Sequence, residues 1–516
     1  LASPPVLGRA MMVRVALRRM AFILSIVWAA AVPARAEWHE ASSANFLVYA
    51  DQGEKQVRAF TDMLERYRSA MRYVYKLPEE PTSPSNRLTV FVVRDANQVR
   101  KLMGDGSKYV LGFYQSRAGG SVAFIPRVDG TQQAGRVSDG ELILLHEYAH
   151  HFMFSVFAGS PPLWFGEGFA EFYAASKFEK DGSVGLGLPA AHRGAELVYA
   201  KDVPLEMLLS TRKYRENASK QYDSFYGRSW LLFHYLTLSG KRSGQMGDYL
   251  ARLGKGEGEE AAATGAFGDL AVLDKELEAY LLSRRMNYLN LNASKIASAA
   301  IAVRPLTAAE AAIMPVMMRS RRGVNEETAP AVLEDALKVA ALYPDDPFVL
   351  TALAEAEYDA GHDDAAIAAA DKAIAKNPQA VGAMIQKIYA LFRKAGDDDA
   401  LWPKVRAAIS AANATENDNP IPLAYFFRSY AAQGKKPPEM AVQGLQRALQ
   451  LAPYDTGNRL TLAEYFVRTG QRQAAETTLA PLLNHPHDTQ LADLARKMLD
   501  RGNAQAGPGT SDDSSS

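Results

Sequence analysis

The C-terminal half of the chain repeats itself, and a sequence that repeats at short period has few folds open to it. Prolines recur at Pro344, Pro378, Pro420, Pro453 and Pro486, at spacings of 34, 42, 33 and 33 residues. Alanine and leucine dominate between them. The prolines close apparent helix pairs, and a helix pair cannot bury its apolar face alone, so the pairs either stack as repeats or form an irregular alanine-rich helical bundle, and the recurring period favours repeats. Proline suits the joints because it lacks an N–H and clashes with the preceding turn, ending the second helix of a pair. The clearest unit runs from Pro347 to Pro378. It carries Ala354, Tyr358, Gly361, Ala365 and Ala373, and its small residues fall where the two helices meet. The 42-residue interval predicts an insertion near 397–403. The Gly/Ser/Asp-rich stretch 501–516 is expected to be a disordered tail.

This unit resembles the tetratricopeptide repeat, with its period of ~34 residues. The resemblance implies an all-α tetratricopeptide-repeat solenoid over 329–500. Such arrays usually bind peptides or proteins on a concave face, which makes a protein partner on the repeats an expectation by analogy of fold.

The beginning of the chain reads as an address. Arg14, Arg18 and Arg19 precede an apolar run over 21–32, followed by Pro33 and Ala34-Arg35-Ala36. This is the pattern of a signal peptide over 1–36, with cleavage after Ala36 and an over-extended start at 1–10. The run is short for ~30 Å of hydrocarbon, so no stable membrane span is expected after cleavage. Export, to a bacterial periplasm, follows. The sequence has no cysteine, which excludes disulfides, thiolate metal ligands, thiol nucleophiles and a lipidated N-terminal cysteine. Lys+Arg and Asp+Glu are each 58, so nothing in the net charge points to nucleic acid.

From 37 to about 285 the pattern is mixed. Residues 46–49, 88–93, 110–114 and 122–125 read as strands, the last two joined through Gly119-Gly120 in a hairpin-like connection. Residues 56–75 read as an amphipathic helix, and 138–157 as a second, opened by a Ser138/Glu141 capping box. Further helices are expected over 162–172 and 225–238. Strands giving way to helices predict an α+β unit over 37–285, joined to the repeats by a linker at 286–328.

The sharpest local signal lies in the second helix: His146-Glu147-Tyr148-Ala149-His150, an H-E-x-x-H. On a helix, residues four apart share a face, so both imidazoles can reach one ion, with Zn–N bonds of ~2.0–2.1 Å. Glu147 points off that line and is placed to act on a water. A catalytic zinc needs a third protein ligand and an open position. The next helix offers Glu167 and Glu171 in Trp164-Phe165-Gly166-Glu167-Gly168-Phe169-Ala170-Glu171. These two share a face: one can bind the ion while the other receives a hydrogen bond from the outer nitrogen of a ligating histidine, expected to be His146.

His146-Glu147-x-x-His150 followed by Trp164-x-x-Glu167-Gly168-Phe169-Ala170 resembles the gluzincin metallopeptidases, and the aminopeptidase-N-like family in particular. The 16 residues between His150 and Glu167 are two fewer than that family carries. The resemblance implies Glu167 as third zinc ligand, and thermolysin-like enzymes place an acidic residue where Glu171 stands. Residues 38–285 also resemble bacterial peptidase-MA-like domains, often joined to tetratricopeptide repeats. Tyr226-Gly227-Arg228-Ser229-Trp230 is similar to the segment following the catalytic tyrosine of aminopeptidase-N-like enzymes, which implies Tyr226 as an oxyanion donor, with Tyr222 as competitor. The fold implied is an α+β zincin-like catalytic domain before the solenoid. The function implied is a peptidase holding one Zn2+ per chain and cutting peptide or protein substrates through a zinc-activated water, with Glu147 as general base. The strand near 122–125 is a candidate sheet edge for an extended substrate. An inactive zincin acting as a repeat-based adaptor, and a zinc hydrolase of a non-peptide bond, are the competing classes. His151 and His234 read as packing or outer-sphere residues; His39, His192, His362, His485 and His487 lack metal-ligand spacing.

Overall fold

A computed structural model of the chain describes residues 38–80, 82–104, 110–127, 137–157, 159–217, 222–484 and 488–505. The expected signal segment, Pro486, His485 and His487, and residues 506–516 of the expected tail lie outside them, while 501–505, expected as the start of that tail, continue the last helix. No helix among the described residues is long and apolar enough to cross a membrane.

The N-terminal region is built on a mixed sheet. Its elements are β1 (His39–Ser42), β2 (Phe46–Ala50), α1 (Glu54–Val74), β3 (Leu88–Val93), α2 (Ala96–Met103), β4 (Phe113–Gln115) and β5 (Val122–Pro126). The six-stranded sheet has the order β4-β5-β3-β2-β1-β9, where β9 (Ala302–Pro305) arrives from much later in the chain. Strands β2, β3 and β5 pair in parallel, while β4/β5, β1/β2 and β1/β9 are antiparallel. The central strands are runs of branched and aromatic residues because both their faces are buried. Val90, Val92, Ala123 and Ile125 pack towards Phe60, Leu64 and Tyr67 of α1 and Leu144 and Leu145 of the next helix. The alternate residues Phe91, Val93, Val122 and Phe124 pack on Val99 and Leu102 of α2 and on Met314 and Met318.

This topology corrects two expectations. The strand at 122–125 is interior, hydrogen-bonded on both sides; the edge beside it is β4. The stretch 286–328 is no linker. It supplies β8 (Leu289–Leu291), β9 and α12 (Ala308–Arg322), whose Met314 and Met318 cover one sheet face. Short strands with little alternation, such as Ala302–Pro305, leave no periodic signal to read.

Helix α3 (Asp139–Val156) starts at the foreseen capping box: Ser138 Oγ accepts from Glu141 N at 3.3 Å, and Glu141 Oε2 accepts from Ser138 N at 2.6 Å. Helix α4 (Leu163–Ala174) follows, with all 12 residues buried, so its two glutamates sit inside the protein. A three-stranded sheet joins β6 (Lys177–Phe178), β7 (Val184–Leu186) and β8. Short helices α5 (Gly194–Tyr199), α6 (Leu205–Leu208) and α7 (Thr211–Asn217) lead to α8 (Phe225–Leu238), which packs on α4. Gly168 permits that approach: a Cβ there would lie 2.5 Å from the Ser229 carbonyl oxygen and 2.9 Å from Phe233 Cβ. Helices α9 (Gln245–Gly254), α10 (Glu259–Phe267) and α11 (Leu270–Leu281) complete the region.

The C-terminal region consists of antiparallel helix pairs: α13 (Ala329–Leu342), α14 (Pro347–Asp359), α15 (Asp363–Lys376), α16 (Val381–Asp397), α17 (Trp402–Thr415), α18 (Pro420–Ala431), α19 (Glu439–Leu451), α20 (Thr456–Arg468), α21 (Arg472–Leu479) and α22 (Thr489–Gln505). Fully buried Ala354, Ala366, Ala370, Ala373 and Ala383 let the helices close on one another. Pro420 opens a helix instead of closing a pair, since its missing N–H costs nothing in the first turn. The long interval comes from the 17-residue α16 and the turn at Asp399–Leu401.

Candidate metal centre

Helix α3 presents His146 and His150 one turn apart, and α4 brings Glu167 against them. Tyr67 on α1 ties down this part of α3 by donating its hydroxyl to the Leu145 carbonyl at 3.0 Å. The two Nε2 atoms are 3.1 Å apart, and each lies 3.4 Å from Glu167 Oε2. The three residues are 8%, 6% and 1% exposed. A tetrahedral ion with bonds of ~2.0–2.1 Å has ligand atoms about 3.3–3.4 Å apart, so the observed triangle has the edge lengths of one face of that tetrahedron. This triad is the one group of its kind among the described residues. Two imidazoles and a carboxylate suit a divalent transition metal, zinc among them.

Glu171 lies one turn beyond Glu167, and its Oε1 is 3.1 Å from His146 Nδ1. Accepting that proton leaves Nε2 of His146 as the free ligand atom. Glu171 is fully buried and is itself braced: His192 Nε2 lies 2.6 Å from Oε2, and Arg193 donates to Oε1. Burial alone would raise the Glu171 carboxyl, but hydrogen bonds from His146, His192 and Arg193 outweigh it and hold the group ionised well below the ordinary range. For His146, burial favours the neutral ring, yet hydrogen bonds to Glu167 and Glu171 win and push it up to about 10. Two carboxylates around one imidazole are a charge surplus that a cation resolves.

Glu147 is half-buried on α3. Burial first, then Tyr454 and Glu147, push the Tyr114 hydroxyl on β4 well above its ordinary range. Tyr226, on the first turn of α8, stands with its ring centroid 6.5 Å from that of His146. The Glu167 carboxylate and burial both raise its hydroxyl pKa, which keeps it a neutral donor. Arg193 stacks over the Tyr226 ring at 4.8 Å and donates to Glu196 at 3.0 Å, and Glu196 accepts from Gly227 N at 2.6 Å. Tyr222 is 67% exposed and meets Glu196 at its rim.

Sequence reading missed His192, Arg193 and Glu196. They come from a loop and a short helix without a motif, and only the fold carries them to Glu171 and Tyr226. Two further histidines have separate work: His234 bridges the Gly187 carbonyl and the Tyr280 hydroxyl, and His362 pairs with Glu357. His151 holds Tyr114 Oη at 2.5 Å through Nδ1 and lies outside the ligand triangle.

No family model and no curated protein matches the chain. Among solved structures, a thermophilic TPR protein of Thermus thermophilus is 20% identical, with TM-score 0.32, and covers 37% of this chain and 99% of its own. Pseudomonas aeruginosa pilF is 16% identical at TM-score 0.29 over 39% and 93% of the two chains, and MamA is 14% identical at 0.25 over 35% and 90%. These likenesses concern part of the chain; the helix pairs described above stand on their own packing.

Proposed function

We propose that the chain is an exported zinc peptidase of the gluzincin type, whose tetratricopeptide-like repeats belong to the same working unit. The observation that carries this reading is the buried triangle of His146, His150 and Glu167, with the Tyr226 ring 6.5 Å from that of His146. His146, His150 and Glu167 would hold the ion, and Glu171 would fix the His146 ring. Zinc supplies Lewis acidity and water activated near neutral pH. Glu147 takes the proton from the attacking water and returns it to the leaving amine. Tyr226 would donate its hydroxyl to the substrate carbonyl oxygen as negative charge develops on it. An extended substrate backbone lies along β4, which has no strand on its outer side among the described residues.

The test uses the full mature chain, assayed for bound metal and for turnover of a mixed peptide pool, with and without chelator. Glu147→Gln should retain zinc and lose about 10²–10⁴-fold in turnover. A variant as fast as wild type would remove Glu147 from the reaction and the peptidase reading with it. Zinc without any peptide cleavage in wild type would turn the assignment towards a non-peptide bond or a silent site.

A further inference from the structure

The loop joining β4 to β5, residues 116–121, does not end in solvent. It is seated on the leading ends of two repeat helices. Ala118 N donates to Asp455 Oδ2 at 2.7 Å, and Ala118, Ala452 and Tyr454 form a buried cluster packed by Ile421 and Phe154. Gly119 has φ +72° and presses so close to Ile421 that a Cβ would meet its Cγ1 at 2.6 Å. Asn86 links the two regions: its Oδ1 accepts from Gly119 N and from the Tyr454 hydroxyl, both at 3.0 Å, and its Nδ2 donates to the Leu451 carbonyl at 2.8 Å. Ser85 donates its N–H and hydroxyl to Glu416 at 2.8 and 2.5 Å. Arg117 donates to the Arg321 carbonyl, in the field of Glu355, Asp359 and Tyr389.

These contacts bear on the site because β4 is the edge beside α3. The Tyr114 hydroxyl meets His151, and the His151 ring lies 3.9 Å from the Tyr454 ring, centroid to centroid. His151 directly follows the ligand His150, so Tyr454 of the repeats rests on the metal-bearing helix. A three-residue edge strand paired on one side is marginal by itself and belongs to the easily opened part of a fold. Without an outside anchor, β4 would fray.

We propose that the repeats hold the β4–β5 hairpin as an internal ligand and so fix the edge strand on which substrate is laid. The consequence for catalysis rests on the peptidase reading; the anchoring does not. The ends of α18 and α20 are then filled by the chain itself, and a foreign protein would have to displace the hairpin to dock there. Residues Glu416, Asp455 and Tyr454 act as positioning residues, since none touches the metal triangle.

The test is amide hydrogen exchange on the full mature chain carrying Glu416→Gln and Asp455→Asn. Asparagine still caps α20 through one oxygen, but it turns an amide N–H towards the Ala118 donor. Exchange at 113–121 should quicken about tenfold or more, with 88–93 unchanged and bound zinc unchanged. Peptide kcat/KM should fall about tenfold in parallel. Unchanged exchange in the hairpin would overturn the anchoring. A loosened hairpin with undiminished kcat/KM would overturn its role in catalysis. If the double variant does not fold, Ser85→Ala, which removes one hydroxyl donor, must still shift hairpin exchange in the same direction. If wild type cleaves no peptide, the peptidase reading fails and exchange alone decides the anchor.

Discussion

Two glycines flank Glu167, and the packing around them calls for opposite responses to the same substitution. At Gly168 a Cβ would stand 2.5 Å from the Ser229 carbonyl oxygen and 2.9 Å from Phe233 Cβ, so α8 must retreat from α4 by about 0.9 Å to restore ordinary contact. Overpacking of this kind costs about 1–3 kcal/mol, offset in part by the ~0.5–1 kcal/mol that alanine gains over glycine in a helix. Gly168→Ala should therefore lose about 1–2 kcal/mol. Tyr226 rides on α8 one turn before Ser229, so the shift also carries its hydroxyl off position. A misplacement near 1 Å costs up to about 10²-fold in rate. At Gly166 the nearest atom to a new Cβ is Met153 Cε at 3.7 Å, an ordinary contact. Gly166→Ala should be neutral or slightly stabilising. Thermal melts and zinc content of both variants, with kcat/KM on a cleaved peptide, check the pair. If Gly168→Ala melts with Gly166→Ala, the close approach of α4 and α8 does not constrain the site as argued.

Other expectations follow from the same contacts. Glu171→Gln keeps the shape of the side chain but removes the charge that orients His146, so zinc affinity should drop about 10–100-fold in a chelator competition. Unchanged affinity would show that Glu171 serves only the Arg193 pair. Tyr226→Phe should cost about 10²–10³ in kcat with zinc binding intact, and a rate within twofold of wild type would hand the oxyanion role elsewhere. In the repeats, burial and then the Glu355 carboxylate push Asp359 up to about 7. An unfolded carboxyl titrates near ~3.9, so between those pH values the native state binds the extra proton and stability falls as pH rises. Asp359→Asn should remove that slope and so stabilise the protein at pH ~8 relative to pH ~4 by up to about 4 kcal/mol, the product of ~3 units and ~1.4 kcal/mol per unit; parallel slopes in urea melts of variant and wild type would contradict it.

Much of this protein is decided locally. Helix α3 could be read from its capping box and from apolar residues that need a core, and the same helical turn puts His146 and His150 on one face whatever lies around them. The repeat period could be read because each helix pair must bury its small-residue face on the next. Strands β3 and β5 were legible because parallel strands buried on both sides are continuous runs of branched and aromatic residues.

What local pattern could not decide is which parts of the chain meet. Strand β9 pairs with β1 across more than two hundred residues of intervening chain, and its four residues carry no periodicity that could announce it. The interior place of 122–126 and the edge position of β4 depend on which strands come to lie on either side of each, a choice made by the helices packed on both faces. His192 and Arg193 reach Glu171 only because the path after β7 returns over α4. The hairpin tip meets α18 and α20 only because the helical region folds back on the sheet. Side-chain chemistry and helical geometry are short-range properties written in the sequence. The pairing of distant segments is settled by mutual burial, which only the assembled fold expresses.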